Sequence, residues 1–172
     1  MDVRCITRAI ASEWQVGGIL SLSAGLPFTP ILGFDNANII TNRGGDNLRP
    51  DLIFGRSTNP THRRKVDRYF DSGSFSLPPN GTLGKLTRST LIGPGLSQFD
   101  SSLKKKFRVT ESKHIEFRSK IFNIFNRANF RIPANAHRIV FKKGGVPNSS
   151  AGTITGTTTS ARQIQFSLRF EF

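Results

Sequence analysis

Three features of the sequence predict an all-β fold: antiparallel strands from the C-terminal end of a transmembrane β-barrel. The first is the stretch Ala161-Arg-Gln-Ile-Gln-Phe-Ser-Leu-Arg-Phe-Glu-Phe172, where apolar and polar side chains alternate without an error. In an extended strand Ile164, Phe166, Leu168, Phe170 and Phe172 share one face, and Gln163, Gln165, Ser167, Arg169 and Glu171 the other. The second is that this amphipathicity runs up to an aromatic carboxy-terminus. Soluble domains tend to fray there into polar residues, whereas a barrel sets its aromatic girdle where the strand meets the membrane interface. The third is the contrast between one tight turn and two long aperiodic stretches, the asymmetry of barrels with short turns at one end and long loops at the other.

Residues 1–10 carry no clear pattern and stay unassigned, and residues 11–172 read as one barrel segment with about four long strands. The strand near 12–25 sets Trp14, Val16, Gly18, Leu20 and Leu22 against Gln15, Gly17, Ile19, Ser21 and Ser23. Pro27 ends it, because proline donates nothing to a ladder. A loop over 26–96 follows, punctuated by Asn42-Arg-Gly-Gly45, Leu77-Pro-Pro-Asn-Gly81 and Ile92-Gly-Pro-Gly95. So long a connection counts against a compact soluble domain and suits an extracellular barrel loop.

Strands near 97–110 and 114–126 form a hairpin. Phe99, Leu103, Phe107 and Val109 alternate with Asp100, Ser102, Lys104, Lys106 and Arg108, then Ile115, Phe117 and Ile121 with Glu116, Arg118 and Lys120. Strands of this length match the about 9 to 11 residues that a tilted spanning strand needs. A three-residue turn at Glu111-Ser112-Lys113 predicts Phe107 opposite Phe117, Leu103 opposite Ile121 and Arg108 opposite Glu116. It also sets Lys106 beside Arg118, unfavourable unless a carboxylate intervenes. Lys105 falls on the lipid-facing side, where its stem is expected to snorkel toward the interface. A second loop, 127–160, runs through the low-complexity stretch Asn148-Ser-Ser-Ala-Gly-Thr-Ile-Thr-Gly-Thr-Thr-Thr-Ser160 and is expected to be exposed. The last strand lies near 161–172.

Composition narrows the function classes. No apolar run approaches the about 18 to 20 residues of a membrane helix, while a barrel strand needs grease only at alternate positions. Lys and Arg number 25 against 11 Asp and Glu, a formal charge of +14. Such a surface attracts nucleic acid or anionic lipid. The charges are spread from Arg4 to Arg169, with local clusters only at His62-Arg-Arg-Lys-Val-Asp-Arg68 and Lys104-Lys-Lys-Phe-Arg108. The alternative reading is a basic β-rich nucleic-acid-binding module that stacks bases on phenylalanine. Against it, the strand phenylalanines lie on the face opposite most strand charges, so no specific nucleic-acid partner is expected.

No catalytic, cofactor-binding or metal-ligating residue set emerges, and no cofactor is expected. Asp100, Ser101 and His114 make a triad only on paper, with no nucleophile elbow around the serine. Arg43-Gly-Gly-Asp46 lacks the helix that a phosphate loop requires. His62, His114 and His137 have no ligand spacing, and the single Cys5 has no disulfide partner. Enzyme is the weakest class. The first 25 residues do not read as a signal peptide, since Glu13, Trp14 and Gln15 interrupt the passage from charged to apolar region.

A resemblance runs through the chain in order. Trp14-Gln-Val-Gly-Gly-Ile-Leu-Ser-Leu-Ser-Ala-Gly-Leu-Pro-Phe28, Arg49-Pro-Asp51, Asp67-Arg-Tyr-Phe-Asp71 with Phe75, Gly93-Pro-Gly95 and Phe107-Arg-Val-Thr-Glu111 open it. Glu116-Phe-Arg118, Phe122-Asn-Ile-Phe-Asn126 with Asn129-Phe130, and Arg162-Gln-Ile-Gln-Phe-Ser-Leu-Arg-Phe-Glu-Phe172 complete it. Together these resemble the carboxy-terminal end of the Oar-like TonB-dependent outer-membrane receptors, which carry an amino-terminal carboxypeptidase-regulatory-like domain. The resemblance implies a barrel of about 22 strands around a plug, energised through TonB. It also implies the outer membrane of a Gram-negative-type bacterium, and lipid and the barrel assembly machinery as partners. TonB would be reached only through an amino-terminal part that this chain lacks, and the substrate is unknown. The closing Gln165, Ser167, Phe170 and Phe172 resemble the signal that the assembly machinery reads. Four strands cannot close even an eight-stranded barrel, so the chain is expected to be a carboxy-terminal fragment that does not transport alone.

Overall fold

Alternating side chains favour extended backbone because each strand can then give one face to grease and one to water. The computed structural model describes residues 12–39, 48–58 and 64–172. The unassigned stretch 1–10, Cys5, His62 and Arg43-Gly-Gly-Asp46 lie outside the described residues. Four long strands appear: β1 (Trp14–Ser23), β2 (Leu96–Arg108), β3 (His114–Phe122) and β4 (Gln163–Glu171). They form one antiparallel sheet in chain order, β1-β2-β3-β4. The protein is all-β, and among the described residues only one-turn helical segments, such as Asn135–Arg138, interrupt it.

The chain divides into two compact units. The first is the sheet, with the described residues 12–23, 96–129 and 159–172. β2 and β3 are joined by residues 109–113, while β1 reaches β2 and β3 reaches β4 through long excursions. Both excursions leave from the same end of the sheet, because the strands alternate in direction.

The β2–β3 register differs from the sequence expectation by two residues. Arg108 pairs with His114, Phe107 with Ile115, Lys106 with Glu116 and Lys104 with Arg118, in place of Phe107 with Phe117, Leu103 with Ile121 and Arg108 with Glu116. The turn residues are Thr110, Glu111 and Ser112, one position earlier than expected. The Lys113 carbonyl accepts from both the Val109 and the Thr110 amides, at 2.9 and 3.2 Å, so Lys113 belongs to the ladder and not to the turn. A shift of two keeps every side chain on its face, since the strand period is two.

β3 also stops earlier than expected, at Phe122 and not near 126. Asn123 and Asn126 have φ of 50° and 49°, left-handed backbone that asparagine tolerates better than most residues. Their side chains tie the exit of β3 to its neighbours. The Asn123 amide donates to the carbonyls of Arg127 (3.0 Å) and Ser160 (3.1 Å), and its backbone N–H donates to Asp100 (2.8 Å). Asn126 accepts from the Arg162 amide at 2.9 Å. Buried Asn129 accepts from the Ser97 amide and donates to the Thr159 hydroxyl, both at 3.0 Å.

The second unit contains the described residues 24–39, 48–58, 64–95 and 130–158. The expectation of exposed, structureless loops fails here. Short ladders join Pro27–Phe28 to Leu91–Ile92, Asp51–Leu52 to Phe75–Ser76, and Ile139–Lys142 to both Ile31–Leu32 and Val146–Pro147. They surround a core of Phe28, Tyr69, Phe70, Phe75, Leu86, Leu91, Val140, Ala151 and Ile154. Ala151 and Ile154 come from the stretch expected to be exposed. Gly25 lets two backbones touch, because a Cβ there would lie 1.8 Å from the Gly93 carbonyl oxygen.

Candidate functional site

The four-stranded sheet presents two chemically opposite faces, and these are its candidate interfaces. The strand pairings stack Trp14, Val16, Gly18, Leu20 and Leu22 of β1 beside Phe99, Leu103 and Phe107 of β2. The face continues with Ile115, Phe117 and Ile121 of β3 and with Ile164, Phe166, Leu168 and Phe170 of β4. This face is apolar and uncovered: Val16 is 78% exposed, Leu22 68% and Phe166 70%. A soluble sheet hides such a face, and a contiguous apolar surface of this kind marks a contact with lipid or protein. Phe117 stacks on Phe166 with ring centres 6.1 Å apart. Gly18 keeps a gap for the Phe99 ring, since a Cβ there would meet that ring at 2.7 Å.

One cation belongs to this face. Lys105 lies in register with Trp14 and Phe117 and is 1% exposed. Its Nζ donates to the Ser12 carbonyl at 2.8 Å and sits 4.8 Å from the Trp14 ring centre and 5.0 Å from that of Phe107. The side chain is held by two aromatic faces and a carbonyl, in place of the snorkelling expected from sequence.

The opposite face carries Gln15, Gly17, Ser21 and Ser23 with Gln98, Asp100, Ser102, Lys104, Lys106 and Arg108. It continues through His114, Glu116, Arg118 and Lys120 to Gln163, Gln165, Ser167, Arg169 and Glu171. Lys104 and Arg118 are direct cross-strand partners, a like-charge pair, and Glu116 bridges them at 2.9 and 2.8 Å. The intervening carboxylate that the expected register called for is therefore present, around a different pair. Glu171 plays a weaker version of the same part, 3.5 Å from both Lys106 and Arg169. No metal-ligand cluster forms among the described residues.

The candidate assembly residues separate between the faces. Gln165 pairs with Lys120 and Ser167 with Arg118 on the polar face, whereas Phe170 pairs with Ile115 on the apolar one. Phe172 lies just beyond β4 and is 98% exposed. The paper triad is not assembled: Asp100 and Ser101 point to opposite faces, and His114 pairs at the other end of β2. His137 has Nδ1 3.0 Å from the Ser150 carbonyl oxygen. Sequence reading missed the roles of Asn123, Asn126 and Asn129. Their spacing after an apolar run was the available signal, since asparagines just past a strand mark left-handed turns.

A family model described as an outer membrane beta barrel domain matches residues 3–165. No curated protein and no solved structure matches the chain.

Proposed function

Because the chain belongs to the outer membrane beta barrel domain family, and so to the outer membrane of Gram-negative bacteria, we propose that it is the carboxy-terminal part of the wall of a TonB-dependent receptor of the Oar-like kind. The observation that carries the reading is the four-stranded meander, with an uncovered apolar face, a charged opposite face and long connections at one end only. In a closed barrel the apolar face meets lipid and the charged face lines the lumen. The finer assignment to TonB-dependent receptors is supported by the ordered resemblance from Trp14 to Phe172. On this reading the described part of the second unit is built from two extracellular loops.

The chain supplies wall, loops and the terminal assembly strand, does no chemistry of its own, and transports nothing until the missing strands close the barrel. Gln165, Ser167, Phe170 and Phe172 would be read by the assembly machinery, and TonB would be engaged by an amino-terminal part. Purified without detergent, the chain should aggregate, and in non-ionic micelles it should become β-rich and monodisperse. A soluble monomer that binds single-stranded DNA at physiological salt, and loses that binding when Phe107 or Phe117 is changed to Ala, would instead make it a nucleic-acid module. Reading the DNA upstream of codon 1 separates the receptor from other barrels: it should encode a plug and further alternating strands of about ten residues.

A further inference from the structure

We propose that the charged face of the sheet holds a binding site for a phosphate-sized oxyanion, formed by two consecutive rungs at the middle of β2; the proposal rests on that face being a lumen wall. One rung is Gln15 on β1, Lys104 on β2 and Arg118 on β3; the next is Gly17, Ser102 and Lys120. Together with Val16 these six residues line a hollow of about 280 Å³. Gly17 and Ser102 make it a hollow: they are the small members of the second rung, and a Cβ on Gly17 would already touch the Ser102 hydroxyl at 3.0 Å. Large side chains stand around small ones, so the opening has a floor, not only a rim.

The charge around it is unbalanced. Lys104, Arg118 and Lys120 supply three cations against two nearby carboxylates on the same face: Glu116, which bridges the first two, and Asp100, one rung beyond Ser102, which accepts from the Asn123 amide and the Gln98 side chain. Among the described residues Lys120 has no ion pair, and its direct neighbours across the sheet are Ser102 and Gln165, both neutral. A cationic wall in a narrow, partly dehydrated lumen is costly until countercharge arrives. Two to three cations with a hydroxyl and an amide donor suit an oxyanion, which accepts several charge-assisted hydrogen bonds at once. Ser102 and Gln15 bracket the cations and would orient it. Chloride, a sphere without directed acceptors, would gain only the diffuse attraction.

The test uses the whole chain in non-ionic micelles, titrated calorimetrically with inorganic phosphate at constant ionic strength set by chloride. Saturable phosphate binding is expected for the unchanged chain. Lys120→Gln should weaken it about tenfold, the loss of one charge-assisted bond. Lys113→Gln, the same charge change in the adjoining segment outside the hollow, should leave it within about twofold. Both positions are exposed, so circular dichroism should show unchanged β content. Equal weakening by the two variants, or no saturable binding by a micelle-bound, β-rich chain, would overturn the site and leave the barrel reading intact. A chain that stays soluble and monomeric without detergent would overturn both.

Discussion

Lys105 and Trp14 are direct cross-strand partners, and the ammonium lies 4.8 Å from the indole ring centre on the face that carries no other charge among the described residues of the four strands. A cation facing lipid costs about 2 to 4 kcal/mol at the bilayer midplane and little near an interface. Lys105 lies three residues from the end of β2. It is also wrapped by Trp14, Phe107 and the Ser12 carbonyl, so the cost is offset by position and by partners.

The first prediction follows from that wrapping. In a double-mutant cycle on the micelle-held sheet, Trp14→Leu and Lys105→Met should couple by about 0.5 to 2 kcal/mol. Trp14→Leu alone should be the more damaging change, because it strips cover from a charge that stays. Lys105→Met keeps the apolar stem and removes the charge as well. Additive effects in urea unfolding would mean that the two side chains merely lie near each other.

The second concerns the carboxylate between Lys104 and Arg118. Glu116→Gln leaves two cations facing each other across β2 and β3 and should lower the unfolding midpoint. Adding Lys104→Gln should recover most of the loss, since the repulsion is then gone. High salt should narrow the gap between Glu116→Gln and the unchanged chain. A variant indistinguishable from the unchanged chain at low salt would show that the bridge is not needed.

Much of the sheet was legible in the sequence because a strand advertises its faces with a period of two. Ile164 to Phe170 and Trp14 to Leu22 needed no tertiary information to be sorted. The register was less legible, because faces are preserved by any even shift and only the hydrogen bonds of Lys113 distinguish one turn from its neighbour. The second unit was not legible at all. Phe28, Phe75, Leu91 and Val140 meet in one core from distant points of the chain, each in a ladder too short to show a pattern. Lys105 was seen as awkward, yet its partner Ser12 lies 93 residues away and left no local signal.

Third, the core of that second unit should behave as a folded body. Phe70 is buried among Phe28 and Phe75, with ring centres 6.1 Å from each. Phe70→Ala should destabilise the unit by about 3 to 5 kcal/mol. Limited proteolysis should then cut within 24–95 and 130–158 at protease levels the unchanged chain resists, with the four strands still protected. Equal resistance of both chains would mean that the loops are held by something other than this core.

Fourth, acid should loosen the same unit. Burial tends to raise the Asp71 carboxyl, but hydrogen bonds from Arg68, the Gly73 amide and the Ser74 hydroxyl, with the Arg68 charge, outweigh it and hold it below the usual range. A depressed folded-state value contributes stability that is present above the unfolded carboxyl value of about 3.9 and lost as pH falls through the folded one. Protease resistance of the unit, measured after brief acid exposure, should therefore drop below about pH 4. Asp71→Asn should be weaker at neutral pH and flatter on the acid side. An identical acid profile for both chains would remove Asp71 from the account.

The last prediction separates assembly from stability at Phe172. The ring is 98% exposed in the isolated chain, so deleting it removes almost no packing within the sheet, whereas truncating a buried phenylalanine costs about 3 to 5 kcal/mol. If Phe172 acts with Gln165, Ser167 and Phe170 as a signal, its deletion in a full-length parent should cut outer-membrane insertion out of proportion to any lost stability. Barrels that do insert should keep nearly normal heat resistance, while unfolded precursor accumulates in the periplasm. Phe172→Trp should restore insertion, because an interfacial position accepts either aromatic ring. Gln165 and Ser167 lie on the charged face and Phe170 on the apolar one, so a signal using all four must be read from an edge that exposes both faces. β4 is such an edge in the four-stranded sheet. Measuring folded against unfolded protein in isolated outer membranes decides the matter, and equal insertion of the intact and deleted forms would reduce β4 to an ordinary amphipathic strand.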